Sequence, residues 1–380
     1  MHQPIAWCRI NSECQDILNR HGKYWWQRSG FALAVLLAKA GYSHTAQLRI
    51  LDFFALFIAP RLGISNMPGV ERWKSFMTDD YNPIELSWDW NTGHKPPTIR
   101  FSIEPVGEQA GTTYDPYNEH AAGEFLGVLL KAFPATNTQW FSHFESCFNP
   151  GTNHHSALGH QTKVFWAFDL DEKDITSKAY LFPGYTAIAT GKTNLEVISE
   201  AIETAPSCTS EVLAGFRVFQ EYAKENVNAF LEMDMLAIDL VKPSQSRIKI
   251  YFRSRETCFG SVRKAMTLGG RLTNGDIEVG LRNLRRLWGS LFDQSGVPDG
   301  SPLPDVKHNT AGILYYVEFR LRDEVPKVKV YLPVRHYAPV WFSSPSLSSQ
   351  WNRAPSIERR VKSSLESSLD KMVAMPNATD

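Results

Sequence analysis

Pro83-Ile84-Glu85-Leu86-Ser87-Trp88-Asp89-Trp90, followed by Thr98-Ile99-Arg100-Phe101-Ser102-Ile103-Glu104-Pro105, alternates polar and apolar residues through both runs. Side chains along a strand point to opposite faces in turn. Glu85, Ser87 and Asp89 therefore share one face, and Ile84, Leu86, Trp88 and Trp90 the other. In the second run Arg100, Ser102 and Glu104 oppose Ile99, Phe101 and Ile103. The connection 91–97 carries Gly93, Pro96 and Pro97, residues suited to a hairpin loop. One such hairpin also reads as an ordinary sheet with a wet outer face. Whether the pattern recurs decides between the two.

It recurs three times. Strand pairs are predicted at Lys163–Leu170 with Ser177–Pro183, Met233–Leu240 with Arg247–Phe252, and Ile313–Leu321 with Lys327–Pro333. Apolar residues at helical spacing predict helices between them: Glu119–Phe133, Trp140–Phe148, Asn194–Glu203, Glu211–Lys224, Phe259–Leu268 and Ile277–Phe292. Residues 11–62 also read as helical, with apolar stripes at Leu33, Leu36, Leu37 and Ala40 and at Leu51, Phe54, Ala55 and Ile58. Trp25 and Trp26 are expected to anchor this region to the body. The order is helix, two strands, helix, repeated. Antiparallel hairpins joined in this way can close into a barrel, which removes exposed edges. If the apolar strand faces pack on an outer ring of helices, the polar faces look inward. The expected class is α+β, an antiparallel barrel with a polar lumen surrounded by helices.

Composition is that of a soluble globular protein, with Lys+Arg and Asp+Glu equal at 40 each. That balance provides no global attraction to nucleic acid or to an anionic membrane, so any anion site must come from local clustering. The five cysteines are odd in number, widely spaced and without a CxxC, which argues against a disulfide framework or zinc ribbon. No signal-peptide core precedes Arg9, and Phe31–Ala40 is too short to span a bilayer. A cytoplasmic location is expected.

The second strand of each pair carries cations: Arg100, Lys178, Arg247 with Lys249, and Lys329. Tyr180, Tyr251 and Tyr331 each lie two residues beyond a cation and so share its strand face. Five cations and three phenols in one interior imply a compact, multiply charged anion, because unpaired burial of charge is costly. A diphosphate fits, Arg offering a fork and Lys a point charge. Aromatic faces beside it suit the carbocation formed when an allylic diphosphate ionises. The alternative is a set of exposed sheet residues. Glu85 fits the base that accepts the N–H or O–H of an aromatic acceptor, against a purely structural salt bridge to Arg100. Lys163, on the face of Phe165 and Ala167, reads either as a proton relay or as a solvated lysine.

Other motifs carry less. Asp79-Asp80-Tyr81 lacks the further spaced acid of an Mg-diphosphate box and reads as the turn leading into the first strand. His154, His155 and His160 lie in a polar loop, and no metal site is assigned to them. Ala189-Thr190-Gly191-Lys192-Thr193 ends like a phosphate loop, but Thr186 stands where its first glycine is required.

The ordered set of motifs resembles the fungal aromatic prenyltransferases of the dimethylallyltryptophan synthase type. It comprises Trp25-Trp26, Gly41-Tyr42, Thr78-Asp79-Asp80 with Pro83–Trp88, Arg100–Pro105, Lys178-Ala179-Tyr180, Arg247–Tyr251 and Lys329–Tyr337, over residues 20–338. The resemblance implies a barrel of ten antiparallel strands built from αββα repeats. It also implies metal-independent transfer of a prenyl group, usually from dimethylallyl diphosphate, to an aromatic acceptor. Glu85 matches the acceptor base. Arg100, Lys178, Tyr180, Arg247, Lys249, Tyr251 and Tyr331 match the diphosphate cradle and tyrosine shield. Lys329 stands where some members have glutamine, and Lys163 lies near a proton-accepting lysine.

Family members continue past Arg335-His336-Tyr337 into another helix and a last hairpin, whereas Trp341–Asp380 matches neither. The expected organisation is a barrel domain over 1–338 with its last repeat missing, then a divergent Ser/Pro-rich tail over 339–380. The expected activity is Friedel–Crafts prenylation in secondary metabolism, with no cofactor beyond the prenyl diphosphate co-substrate. The acceptor is an indole or tryptophan derivative or a phenolic polyketide, with a fused polyketide slightly favoured. No nucleic-acid or membrane partner is expected, and a homodimer is admitted. The alternatives are a non-catalytic remnant that still binds diphosphate or an aromatic ligand, and an Mg-dependent terpene synthase.

Overall fold

A computed structural model describes residues 3–65, 73–90, 95–149, 160–226 and 231–339. His154, His155, Gly93 and the tail from 340 onward lie outside the described residues. Eight strands form one antiparallel sheet in sequential order. They are β1 (Ile84–Asp89), β2 (Thr98–Ile103), β3 (Val164–Leu170), β4 (Ile175–Leu181), β5 (Leu231–Asp239), β6 (Ile248–Ser254), β7 (Ile313–Phe319) and β8 (Lys327–Tyr331). All four predicted pairs are present, displaced by at most two residues at their ends. The predicted helices are present as well, with a further helix at Ile5–Cys14 and a short one at Gly184–Thr190.

The two strand faces separate as alternation requires. Ile99, Phe101 and Ile103 of β2, Trp166, Phe168 and Leu170 of β3, and Ile248, Ile250 and Phe252 of β6 are all buried. Phe168 meets Phe53 at 5.2 Å between ring centroids and Phe101 at 4.9 Å, and Trp166 meets Phe141 at 4.9 Å. Phe53 comes from helix His44–Phe53 and Phe141 from helix Gln139–Phe148. On the far side Phe252 meets Phe219 at 5.4 Å and Phe319 meets Phe216 at 5.7 Å, both partners on helix Ala214–Glu225. Each such ring contributes about 2–3 kcal/mol when fully buried. This seam of rings attaches the helices to the outer face and leaves the polar face turned inward.

The N-terminal helices attach through the paired tryptophans and Tyr42. Trp26 stacks on Trp7 at 6.1 Å, and Trp25 donates its indole N–H to the Gly63 carbonyl at 3.0 Å. Gly30 lies against the Trp26 ring, where an added Cβ would collide with the indole carbons. The Tyr42 hydroxyl donates to the Leu170 carbonyl at 2.5 Å and accepts from the Ile99 amide at 3.0 Å, so one phenol pins β2 and β3 together.

Among the described residues β1 and β8 do not pair. A polar latch nevertheless joins their neighbourhoods at one end. Asp79, in the turn before β1, accepts from the Thr310 hydroxyl at 2.9 Å and faces the Arg335 guanidinium at 3.3 Å. His336 Nε2 lies 2.8 Å from the same hydroxyl, and the Gly312 amide donates to the Tyr337 hydroxyl at 2.7 Å. The segment after β8 is thus tied both to the start of β7 and to the entrance of β1.

Candidate active site

Strand register determines what the inner face presents, because directly opposed residues of an antiparallel pair share a face. Arg100 on β2 opposes Asp169 on β3. Lys178 on β4 opposes Asp239 on β5. Lys249 on β6 opposes Glu318 on β7, which in turn opposes Lys327 on β8. Basic and acidic residues therefore alternate around the wall.

The contacts follow the register. Arg100 pairs with Asp89 at 2.7 Å and Asp169 at 2.8 Å, and Asp169 also holds the Lys178 ammonium. Arg247 grips Asp239 through Nε at 2.6 Å and Nη2 at 2.9 Å, and reaches Glu318 at 3.5 Å. Lys249 lies 3.4 Å from Glu318. The gathered cations are thus not left to an external anion alone: Asp89, Asp169, Asp239 and Glu318 balance them within the wall. Periodicity exposed the cations on the even strands, but pairing them with acids on the odd strands requires the register.

Burial and neighbours shift these groups in opposite directions. Burial opposes the Arg247 charge, yet its bonds to Asp239 and the fields of Glu318 and Asp169 hold its pKa above the ordinary value. Asp239 is pulled below the usual carboxylate range, the Arg247 bonds outweighing burial. Lys178, 4% exposed, is lowered because burial outweighs Asp169. Lys249, 7% exposed, is pushed down to about 8 by burial, with Lys178 and Arg247 adding repulsion.

Beside this ladder lies a cluster of phenols. Tyr251 sits 5.6 Å from Tyr180, 5.2 Å from Tyr316 and 6.2 Å from Tyr331 between ring centroids. The ammonium groups of Lys249 and Lys329 lie 5.0 Å and 5.9 Å from the Tyr316 ring. Tyr316 was not anticipated from the sequence. It lies in Tyr315-Tyr316, where alternation sends one ring to the helices and the other inward.

Glu85 opposes Ser102 and lies within the fields felt by Tyr180 and Tyr331. Arg100, its suspected salt-bridge partner, pairs instead with Asp89 and Asp169. Glu85 is itself exposed to solvent, yet the protein crowding around it raises its pKa above the ordinary carboxylate value by desolvation. Lys163 has the inward parity but precedes β3. Its ammonium bonds Glu119 at 2.7 Å and lies 5.5 Å from the Tyr185 ring, so the structure ties it to a helix instead of to the phenol cluster. Glu104 is 3% exposed and accepts from Trp73 Nε1 at 3.0 Å and Thr162 at 3.1 Å; burial raises it to about 7.

The weaker motifs resolve into structural roles. His160 stacks on Phe76 at 4.0 Å, and burial lowers it to about 4. Gly191, at φ 69°, ends helix Gly184–Thr190, and Thr193 forms a capping box with Glu196 at the start of the next helix. The Gly-Lys-Thr run is therefore a helix–helix junction. Asp79, His308 and His336 bring donor atoms within 4.8 Å of one another. The Thr310 hydroxyl sits among them at 2.8–2.9 Å, and Arg335 takes the other Asp79 oxygen, so the latch itself satisfies this group.

Residues 21–343 match the family model described as tryptophan dimethylallyltransferase. A 4-O-dimethylallyl-L-tyrosine synthase of Claviceps purpurea is 36% identical over 327 residues, 83% of this chain and 73% of the relative. A 7-dimethylallyltryptophan synthase of Aspergillus fumigatus is 35% identical over 336 residues, 83% of this chain and 70% of the relative. The crystal structure of AnaPT from Neosartorya fischeri superposes with a TM-score of 0.75 at 23% identity, covering 99% of this chain and 90% of that one.

Proposed function

The chain belongs to the tryptophan dimethylallyltransferase family and is an aromatic prenyltransferase; on that premise we propose how its inner wall performs the transfer. Arg100, Lys178, Arg247, Lys249 and Lys329 take the diphosphate of dimethylallyl diphosphate. The bond between the allylic carbon and oxygen breaks, and its electron pair leaves with the diphosphate. Tyr180, Tyr251, Tyr316 and Tyr331 surround the allylic cation, their ring faces stabilising it and excluding water. An electron-rich acceptor ring attacks the cation, forming the new bond. Glu85 holds the acceptor N–H or O–H and takes up the proton released. The observation that carries this reading is the joining of a cation ladder, a tyrosine cluster and a carboxylate not engaged by Arg100 on one inner face.

Metal independence belongs to the same proposal. Asp89, Asp239 and Glu318 are each engaged by cations, which weakens them as ligands for Mg²⁺. Asp79 faces the latch instead of the phenol cluster. Purified protein, dimethylallyl diphosphate and a panel of tyrosine, tryptophan, cyclic indole peptides and fused phenolic polyketides test both points. Prenylated product at an undiminished rate in EDTA is expected. Loss of turnover in EDTA would favour the metal-dependent alternative, and no product from any acceptor with pyrophosphate still bound would favour a non-catalytic protein.

Lys249 makes the donor site pH-dependent. Its ammonium is charged below about 8 and neutral above, and the diphosphate binds the charged form. The kcat/KM for dimethylallyl diphosphate is therefore expected to fall as pH rises through about 8, by up to about tenfold per pH unit. Rate profiles from pH 6.5 to 9.5 check this, and Lys249→Met is expected to remove that limb while lowering the plateau.

A further inference from the structure

We propose that Asp169 is an exchange counter-ion: its carboxylate holds Arg100, Lys178 and Arg247 in the free protein and releases them to the diphosphate, limiting donor affinity and promoting departure of pyrophosphate. This rests on the reading of the inner wall as the diphosphate site.

Asp169 is engaged by cations from three different places in the sheet. Its Oδ1 lies 2.8 Å from Arg100 Nε on β2. Its Oδ2 contacts the Lys178 ammonium on β4 and lies 3.8 Å from Arg247 Nη2, just before β6. The other acids of the wall are more local. Asp239 is gripped bidentately by Arg247 and also lies 3.3 Å from its backbone amide, as a fixed partner would. Glu318 faces Arg247 and Lys249 at 3.5 Å and 3.4 Å. Asp89 has Arg100 at 2.7 Å.

A diphosphate brings oxygens of the same kind to the same cations. Carboxylate and diphosphate cannot both take the Lys178 ammonium and the Arg100 fork in full, so one must yield. Asp239 is anchored by the Arg247 fork and backbone. Asp169, by contrast, faces Arg100, whose side chain is 30% exposed and has room to re-aim. The free protein needs Asp169 because three cations around one point are costly without an anion. The complex does not need it, because the diphosphate supplies more charge than the carboxylate. After transfer, Asp169 recovers its cations as pyrophosphate leaves.

Asp169→Asn keeps the shape and removes the charge. If Asp169 competes with the diphosphate, the variant binds inorganic pyrophosphate at least tenfold more tightly by calorimetry. Its KM for dimethylallyl diphosphate falls, and kcat falls with it as release slows, with a burst of product in the first turnover. Thermal unfolding separates this from a structural role: the variant is less stable than the wild type alone and recovers most of the difference with pyrophosphate present. A variant that folds only with pyrophosphate gives the same answer. Asp169→Glu, which keeps the charge, is expected to bind pyrophosphate like the wild type. Equal or weaker pyrophosphate binding by Asp169→Asn, or instability unaffected by pyrophosphate, overturns the proposal. A wild type that does not bind pyrophosphate at millimolar concentration overturns the diphosphate site itself instead.

Discussion

Replacing Glu85 with alanine is expected to lower the rate of prenyl transfer by about two to four orders of magnitude, while inorganic pyrophosphate binding stays within a few-fold. The two readouts divide because Glu85 is not part of the cation ladder. Arg100, two residues along β2 from the Ser102 that opposes Glu85, is held by Asp89 and Asp169. Glu85 stands where its field reaches Tyr180 and Tyr331, and desolvation raises its proton affinity above that of an ordinary glutamate. A carboxylate of raised basicity, open to solvent and beside aromatic faces, suits a group that receives a proton from a bound ring. Glu85→Gln distinguishes holding from proton uptake. Its amide oxygen still accepts the acceptor N–H or O–H, so acceptor KM is preserved better than in alanine while single-turnover rate remains low. A rate for Glu85→Ala within tenfold of the wild type would remove Glu85 from the base role. Because protonation disables the base, activity is expected to fall on the acidic side as pH drops through the raised Glu85 pKa, opposite in sign to the Lys249 limb.

How much of this was legible in the sequence depended on whether a feature repeats with a local period. The inward positions of Glu85, Arg100, Lys178, Lys249 and Tyr251 follow from alternation alone, and each strand kept it. Asp169, Asp239 and Glu318 were equally present in the alternating pattern. Asp169 meets Lys178 and Asp239 meets Arg247 across short hairpins, within reach of local reasoning, whereas Arg100 meets Asp169 and Lys249 meets Glu318 across long excursions through two helices, whose register no loop length sets. Lys163 has the inward parity that alternation predicts, but the strand begins at Val164 and its ammonium turns to Glu119. The latch of Asp79, Thr310, Arg335 and His336 joins residues more than 200 positions apart. No spacing rule could have paired them, although the turn at Asp79-Asp80 was readable from its composition.

Replacing Arg247 with leucine is expected to raise the KM for dimethylallyl diphosphate and the Kd for pyrophosphate by about two to three orders of magnitude, the effect of truncating one partner of a desolvated charge pair at about 2–5 kcal/mol. Two losses combine. The guanidinium no longer reaches the diphosphate, and the acids it held are released: Asp239, bonded at 2.6 and 2.9 Å, Glu318 at 3.5 Å and Asp169 at 3.8 Å. The wall then carries carboxylates facing the incoming anion without their counter-charge. The same argument predicts lower thermal stability, since Asp239 is only 7% exposed and its ionised form depends on Arg247. Arg247→Lys keeps the charge but not the fork, so its loss of affinity is expected to be about tenfold. Arg247→Leu combined with Asp239→Asn separates the two contributions: stability returns toward the wild type because no orphan carboxylate remains, and donor affinity recovers only in part because the fork is still absent. Pyrophosphate titration and thermal unfolding of the three variants give both quantities. If Arg247→Leu binds pyrophosphate like the wild type, Arg247 is a structural partner of Asp239 and the diphosphate must lie elsewhere on the wall, nearer Lys249 and Lys329.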